Sequence, residues 1–129
     1  MLAVDTDVLV RFLVEDDSAQ AARAAKRIQS RPVWVSKTVL LETAWVLESS
    51  YEFPAPSVVR ALRGLVSLPT VSVEDELSVT EALDWAERGL DLADALHLAS
   101  AGLSMAFATF DQSLIRRAKR FTTSEVALP

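Results

Sequence analysis

The chain has 129 residues, with 18 acidic and 13 basic side chains, one histidine, no cysteine and a formal net charge of −5. Such a length predicts one domain over residues 1–129 with a real core, and a half-apolar composition excludes disorder. The lack of cysteine excludes a disulfide scaffold, a zinc knuckle and a thiol nucleophile, while the negative balance argues against broad attraction to nucleic acid but leaves room for a local basic patch or metal-mediated contact with phosphate.

No apolar run approaches the ~20 residues of a membrane span. The opening MLAVDTDVLVRF has no basic leader, and Asp5 and Asp7 interrupt its apolar stretch. The expectation is a soluble, cytoplasmic protein without a signal peptide. With glycine only at 64, 89 and 102, no phosphate-cradling glycine loop is present.

In chain order, residues 2–4 predict a strand ending at Asp5, and Thr6 can cap a short helix through about residue 13. Asp16, Asp17 and Ser18 open an alanine-rich helix to about residue 29, with Lys26 and Arg27 near its end. Pro32 precedes a strand at 33–35, and a helix follows over about 37–51. Pro56 suits the first turn of a helix running to about residue 68, and 70–73 alternates as a strand. Ser72 or Asp75 can cap a helix to about residue 88, ended by Gly89. Asp91 opens a helix to about residue 104, 105–109 predicts a strand, and Asp111 caps a last helix to about residue 120. A final strand is expected at 121–123. Strand–helix alternation of this kind predicts an α/β sandwich with a mainly parallel sheet, whose chemistry gathers at the carboxyl ends of strands.

Asp5 ends the first strand, and Asp111 follows the strand at 105–109 by two residues, so both belong to that edge. On the third helix Glu42 falls about 40° past Val46 at the border of the apolar face, whereas Glu48 and Glu52 point away. The segment 92–103 is apolar nearly all round and should be buried; Asp94 is the only acid inside it, with His97 one turn on and expected to pack beside it. Each acid also has a plain structural role: Asp111 as an N-cap, Asp91 and Asp94 as a capping pair, Asp7 against a helix dipole, Glu42 as a surface acid. A cluster of such carboxylates at one edge repels itself unless protons or a cation are present, and oxygen ligands suit Mg²⁺ or Mn²⁺.

The segments LAVDTDVLVRFL, VLLETAWVL, LDLADALHLASA and FATFDQSL together resemble the four acidic motifs of the PIN domain, in order and spacing, over essentially the whole chain. The likeness is in particular to VapC-type toxins of bacterial and archaeal toxin–antitoxin pairs. It implies a three-layer α/β/α sandwich with a central, mainly parallel sheet of four to five short strands. It also implies a Mg²⁺- or Mn²⁺-dependent endoribonuclease, with Asp5, Glu42, Asp94 and Asp111 as the metal-binding and catalytic acids. Thr6 and Thr109 match supporting polar positions. Asp7 stands where this group more often has Asn, and Asp91 is a further acid beside the third motif. The implied partners are RNA, a VapB-like antitoxin and a second copy of the chain.

Arg116, Arg117, Lys119 and Arg120 either contact RNA phosphates or complement a helix dipole, and Arg11 either meets a phosphate or pairs with Glu15. Trp34 is expected in the core and Trp45 at an interface. Two other readings compete. One is a non-catalytic PIN-like binding module. In the other, DTDV resembles the opening of haloacid-dehalogenase-type phosphatases, with Asp5 as nucleophile, Asp7 as acid/base and FAT at 107–109 imitating the next motif. That fold is usually longer and needs a lysine before its terminal acids, whereas Lys119 follows every candidate acid except Glu125.

Overall fold

Why strands and helices alternate is visible at the chain's first turn. In the computed structural model, which describes residues 1–15 and 18–129, strand β1 (Leu2–Ala3) is followed at once by helix α1 (Thr6–Val14). Asp5 is the N-cap, with extended backbone and its carboxylate accepting the Thr6 amide at 2.8 Å. Thr6, expected as the cap, is instead the first helical residue. Backbone geometry explains the exchange: Asp5 is the residue still extended, which an N-cap requires, while Thr6 is already helical.

The described residues form two compact units, Met1–Glu76 and Leu77–Pro129. In the first, α2 (Ala19–Ser30) is capped by Ser18, whose hydroxyl accepts the Ala21 amide. The expected opening at Asp16 and Asp17 lies outside the described residues. Strand β2 (Val33–Val35) leads to α3 (Lys37–Ser49), capped by Ser36. Helix α4 (Ala55–Val66) follows Pro54 and carries Pro56 in its first turn, where no N–H is needed. Strand β3 (Val71–Val73) completes a parallel sheet in the order β1-β2-β3, with Leu2 opposite Val33 and Trp34 opposite Ser72. The Val4 amide donates to the Trp34 carbonyl at 3.2 Å, so pairing extends to the residue before Asp5. The core holds Leu9, Ile28, Val33, Val35, Leu40, Leu47 and Leu62, all closed to solvent. Trp34 is half-buried, and Trp45 is 65% exposed on α3.

The second unit holds α5 (Glu76–Glu87), which begins at the boundary, α6 (Leu92–Ala101), β4 (Phe107–Ala108), α7 (Gln112–Ala118) and β5 (Val126–Ala127). Helix α5 ends through Gly89, at φ +105°, with the Leu90 amide returning to the Trp85 carbonyl. Glycine reaches that backbone without the Cβ clash. Leu92, Ala95, Leu96, Leu98 and Ala99 bury one side of α6. His97, expected to pack, is exposed. At about 100° per residue it falls in the middle of the opposite face, near Ala93 and Ser100. Strands β4 and β5 pair in parallel, Phe107 opposite Val126. The strand expected at 121–123 does not form, and 126–127 pairs instead. Phe121 is engaged elsewhere: its ring lies 6.2 Å from that of Trp85, with the Arg88 and Arg120 guanidinium carbons 4.8 and 5.7 Å from its centre. Among the described residues every strand pairing is thus parallel, as the alternation predicts for an α/β chain, with three strands in one sheet and two in the other.

Candidate active site

In the first unit, Asp5 leaves the carboxyl end of β1 exposed and fixed by its cap on α1. Thr6 is buried, at 7% exposure, and its hydroxyl donates to Glu42 Oε1 at 2.5 Å. The bond spans 36 residues and joins the start of α1 to the middle of α3, two helices packed together. Glu42 is otherwise exposed. Thr43 beside it is buried and spends its hydroxyl on the Val39 carbonyl. A buried donor with one carboxylate partner holds that carboxylate in one place, which a solvated surface acid would not need. Asp7 points outward from the first turn of α1 and pairs with Arg11 at 3.9 Å. The expected alternative partner, Glu15, takes a left-handed backbone (φ 55°) at the helix end.

In the second unit, Asp91 caps α6 and its carboxylate accepts the Asp94 amide at 3.1 Å. Asp94 is half-buried. Its carboxyl is held above the usual carboxylate range, first by burial and then by the charges of Asp91 and Asp111, with His97 and Arg117 opposing in part. The residues Asp91, Asp94 and Asp111 therefore share one electrostatic neighbourhood, and Arg117 borders it. Asp111 caps α7: its carboxylate accepts the Leu114 amide and its own amide donates to Thr109 Oγ1, both at 3.0 Å. The Thr109 amide is held in turn by the Ala127 carbonyl at 3.0 Å. Arg116 and Arg117 are exposed in the last turn of α7.

Each plain capping role expected for Asp91 and Asp111 is observed, and Asp5 adds a third. Capping does not compete with ligand binding, because one oxygen satisfies the helix and the other stays available. Among the described residues, no group of three or more His, Asp or Glu side chains is gathered as a metal ion requires. The donor chemistry does fit a hard divalent cation. All candidate donors are oxygens, and mutual repulsion around Asp94 is the condition a bound cation relieves.

The PIN domain family matches residues 2–120 of the chain. The chain belongs to the PIN-domain family. The match runs through all four acidic segments and across both units, and PIN domains are in general metal-dependent nucleases, so this is a nuclease fold of the α/β class. Membership of the PIN family also displaces the phosphatase reading of DTDV, because the same residues lie inside the match. No curated protein matches the chain. Among the described residues, no helix is long and apolar enough to cross a membrane.

Sequence reasoning missed two features of this PIN domain. One is the Thr6–Glu42 bond, which pairs residues far apart in the chain. The other is a groove beside Asp5 to which Arg23 and Arg27 contribute. A basic pair at i and i+4 on the helix after the first acid was the signal available for it.

Proposed function

We propose that this PIN domain is a divalent-metal-dependent endoribonuclease of the VapC toxin type. The observation that supports it is the family match over residues 2–120, whose span includes Asp5, Glu42, Asp94 and Asp111. On this reading the protein works in the cytoplasm as a homodimer, and a VapB-like antitoxin holds it inactive by covering the acidic edge and presenting a cationic side chain there.

Asp5, Glu42, Asp94 and Asp111 are the residues that would hold Mg²⁺ or Mn²⁺. Once bound there, such a cation would supply positive charge against the scissile phosphate and make water more acidic. The chain's own residues do the rest. Thr6 donates to Glu42 and fixes the carboxylate's rotamer. Thr109 anchors the turn that carries Asp111. Asp91 fixes the first turn of α6 and so the place of Asp94. One carboxylate accepts a proton from the attacking water. Arg11, Arg116 and Arg117 would neutralise phosphate, with Asp7 moderating Arg11 through their ion pair.

The test is cleavage of total cellular RNA by antitoxin-free protein, with Mg²⁺, with Mn²⁺ and with EDTA, beside Asp94→Asn. Discrete metal-dependent fragments absent from the variant are expected. Intact RNA together with no metal binding by the folded protein overturns the proposal in favour of a non-catalytic binding module.

A further inference from the structure

The reading as a ribonuclease leaves open how an acidic chain holds a polyanion, and a groove in the first unit bears on it. The groove, about 580 Å³, is lined by residues of β1, α1 and α2, and Asp5 and Asp7 are among them. Three arginines line it too: Arg11 from α1, and Arg23 and Arg27 from α2. Arg11 is paired with Asp7. Arg23 is exposed and has no hydrogen-bond or ion-pair partner among the described residues. Arg27 donates from Nη1 and Nη2 to the carbonyls of Arg31 and Pro32, at 3.1 and 3.4 Å, which fixes the guanidinium while leaving other N–H groups to a ligand. Apolar Leu2 and Val8 line the same groove.

Resting on the ribonuclease reading, we propose that Arg23 and Arg27 form a phosphate track that carries single-stranded RNA to Asp5. Guanidinium forks match phosphate oxygens in pairs. One helical turn separates the two arginines, about 5–6 Å between β-carbons, so each can serve a different phosphate of one strand. The track begins beside an acid of the candidate catalytic set. Without Arg23 and Arg27, a strand whose phosphate reaches Asp5 would meet Asp5, Asp7 and one cation, Arg11, that Asp7 already engages. The apolar lining gives sugar and base faces a surface to lie against.

The experiment measures binding of a fluorescein-labelled oligouridylate by anisotropy in EDTA, so that neither metal nor cleavage enters, over a range of KCl concentrations. For single strands, each phosphate neutralised contributes about 0.7 to the slope of log K against log salt. R23Q/R27Q is expected to lower the slope by about 1.4 and R23Q alone by about 0.7. The single variant keeps the Arg27 bonds to the backbone and guards against a folding defect. R60Q, on α4, is the control and should leave the slope unchanged. Wild-type slope and affinity in both groove variants overturn the track, while cleavage by the wild-type protein would stand. Conversely, arginine-dependent binding by a folded protein that neither binds metal nor cleaves RNA with Mg²⁺ or Mn²⁺ supports the track and overturns the nuclease reading. Failure of the wild-type protein to bind the oligouridylate overturns the track, and the nuclease reading is then decided by the metal-dependent cleavage test alone.

Discussion

Replacing Thr6 by Val removes one hydroxyl from a slot only 7% exposed and keeps its shape, so no cavity forms. What is lost is the bond to Glu42. A hydrogen bond to a charged group contributes about 1.5–3 kcal/mol when the acceptor has no other recourse. Glu42 is exposed, and water takes the vacated place, so the loss should fall to about 1 kcal/mol. For a chain of this size that lowers Tm by about 3–5 °C. Activity should suffer more. A carboxylate free to leave its position costs geometry, and displacement on the order of 1 Å can cost about 100-fold; we expect kcat for RNA cleavage to fall by about 10- to 100-fold with KM nearly unchanged. Thr6→Ser keeps the donor and should recover most of both losses. Thermal unfolding of Thr6→Val, Glu42→Ala and the double variant closes a cycle whose coupling should be about 1 kcal/mol. Additive effects, or a Thr6→Val protein with wild-type Tm and full cleavage, would refute the claim that this bond positions Glu42.

Asp111→Asn keeps an oxygen for the Leu114 amide and should abolish cleavage at wild-type Tm, whereas Asp111→Ala should also lose about 1 kcal/mol as the cap of a seven-residue helix disappears; equal Tm values for the two variants count against the cap. The raised Asp94 pKa means the folded protein holds that proton more tightly than the unfolded chain, so ionised Asp94 costs stability above its folded pKa and the cost fades as pH falls toward the ordinary carboxylate range. Asp94→Asn should accordingly have a higher Tm than wild type in EDTA at neutral pH, with the gain shrinking on acidification; a gain that grows on acidification contradicts the sign. Leu62→Ala, at a position closed to solvent between packed helices, should cost about 2–5 kcal/mol by denaturant titration, and a loss under about 1 kcal/mol would mean the site collapses around the gap.

Where the local chain decides the outcome, the sequence was readable. Asp91 and Asp111 cap the helices they precede, and Ser18 and Pro56 sit where their chemistry suits them. These are effects of neighbours a few residues away. At residues 121–127 local preference could not decide, because Phe121 suits a strand as well as an aromatic contact, and the partner that claims it, Trp85, is distant in sequence. Burial of His97 was misjudged since an α6 segment apolar on nearly every face hides which face turns inward. The acids Asp5, Glu42, Asp94 and Asp111 were legible as a set through their motifs; the donor that holds Glu42 and the arginines beside Asp5 depend on how α1 meets α2 and α3, which no local pattern encodes.

Strand β5 is only two residues long, yet the carbonyls of Glu125 and Ala127 take the amides of Phe107 and Thr109. Thr109 is the residue whose hydroxyl seats Asp111. Deleting residues 125–127 alone would therefore unfasten β4 and the seat of Asp111 without removing a single core side chain. A label on the exposed face of α4 stays clear of both this clasp and β1.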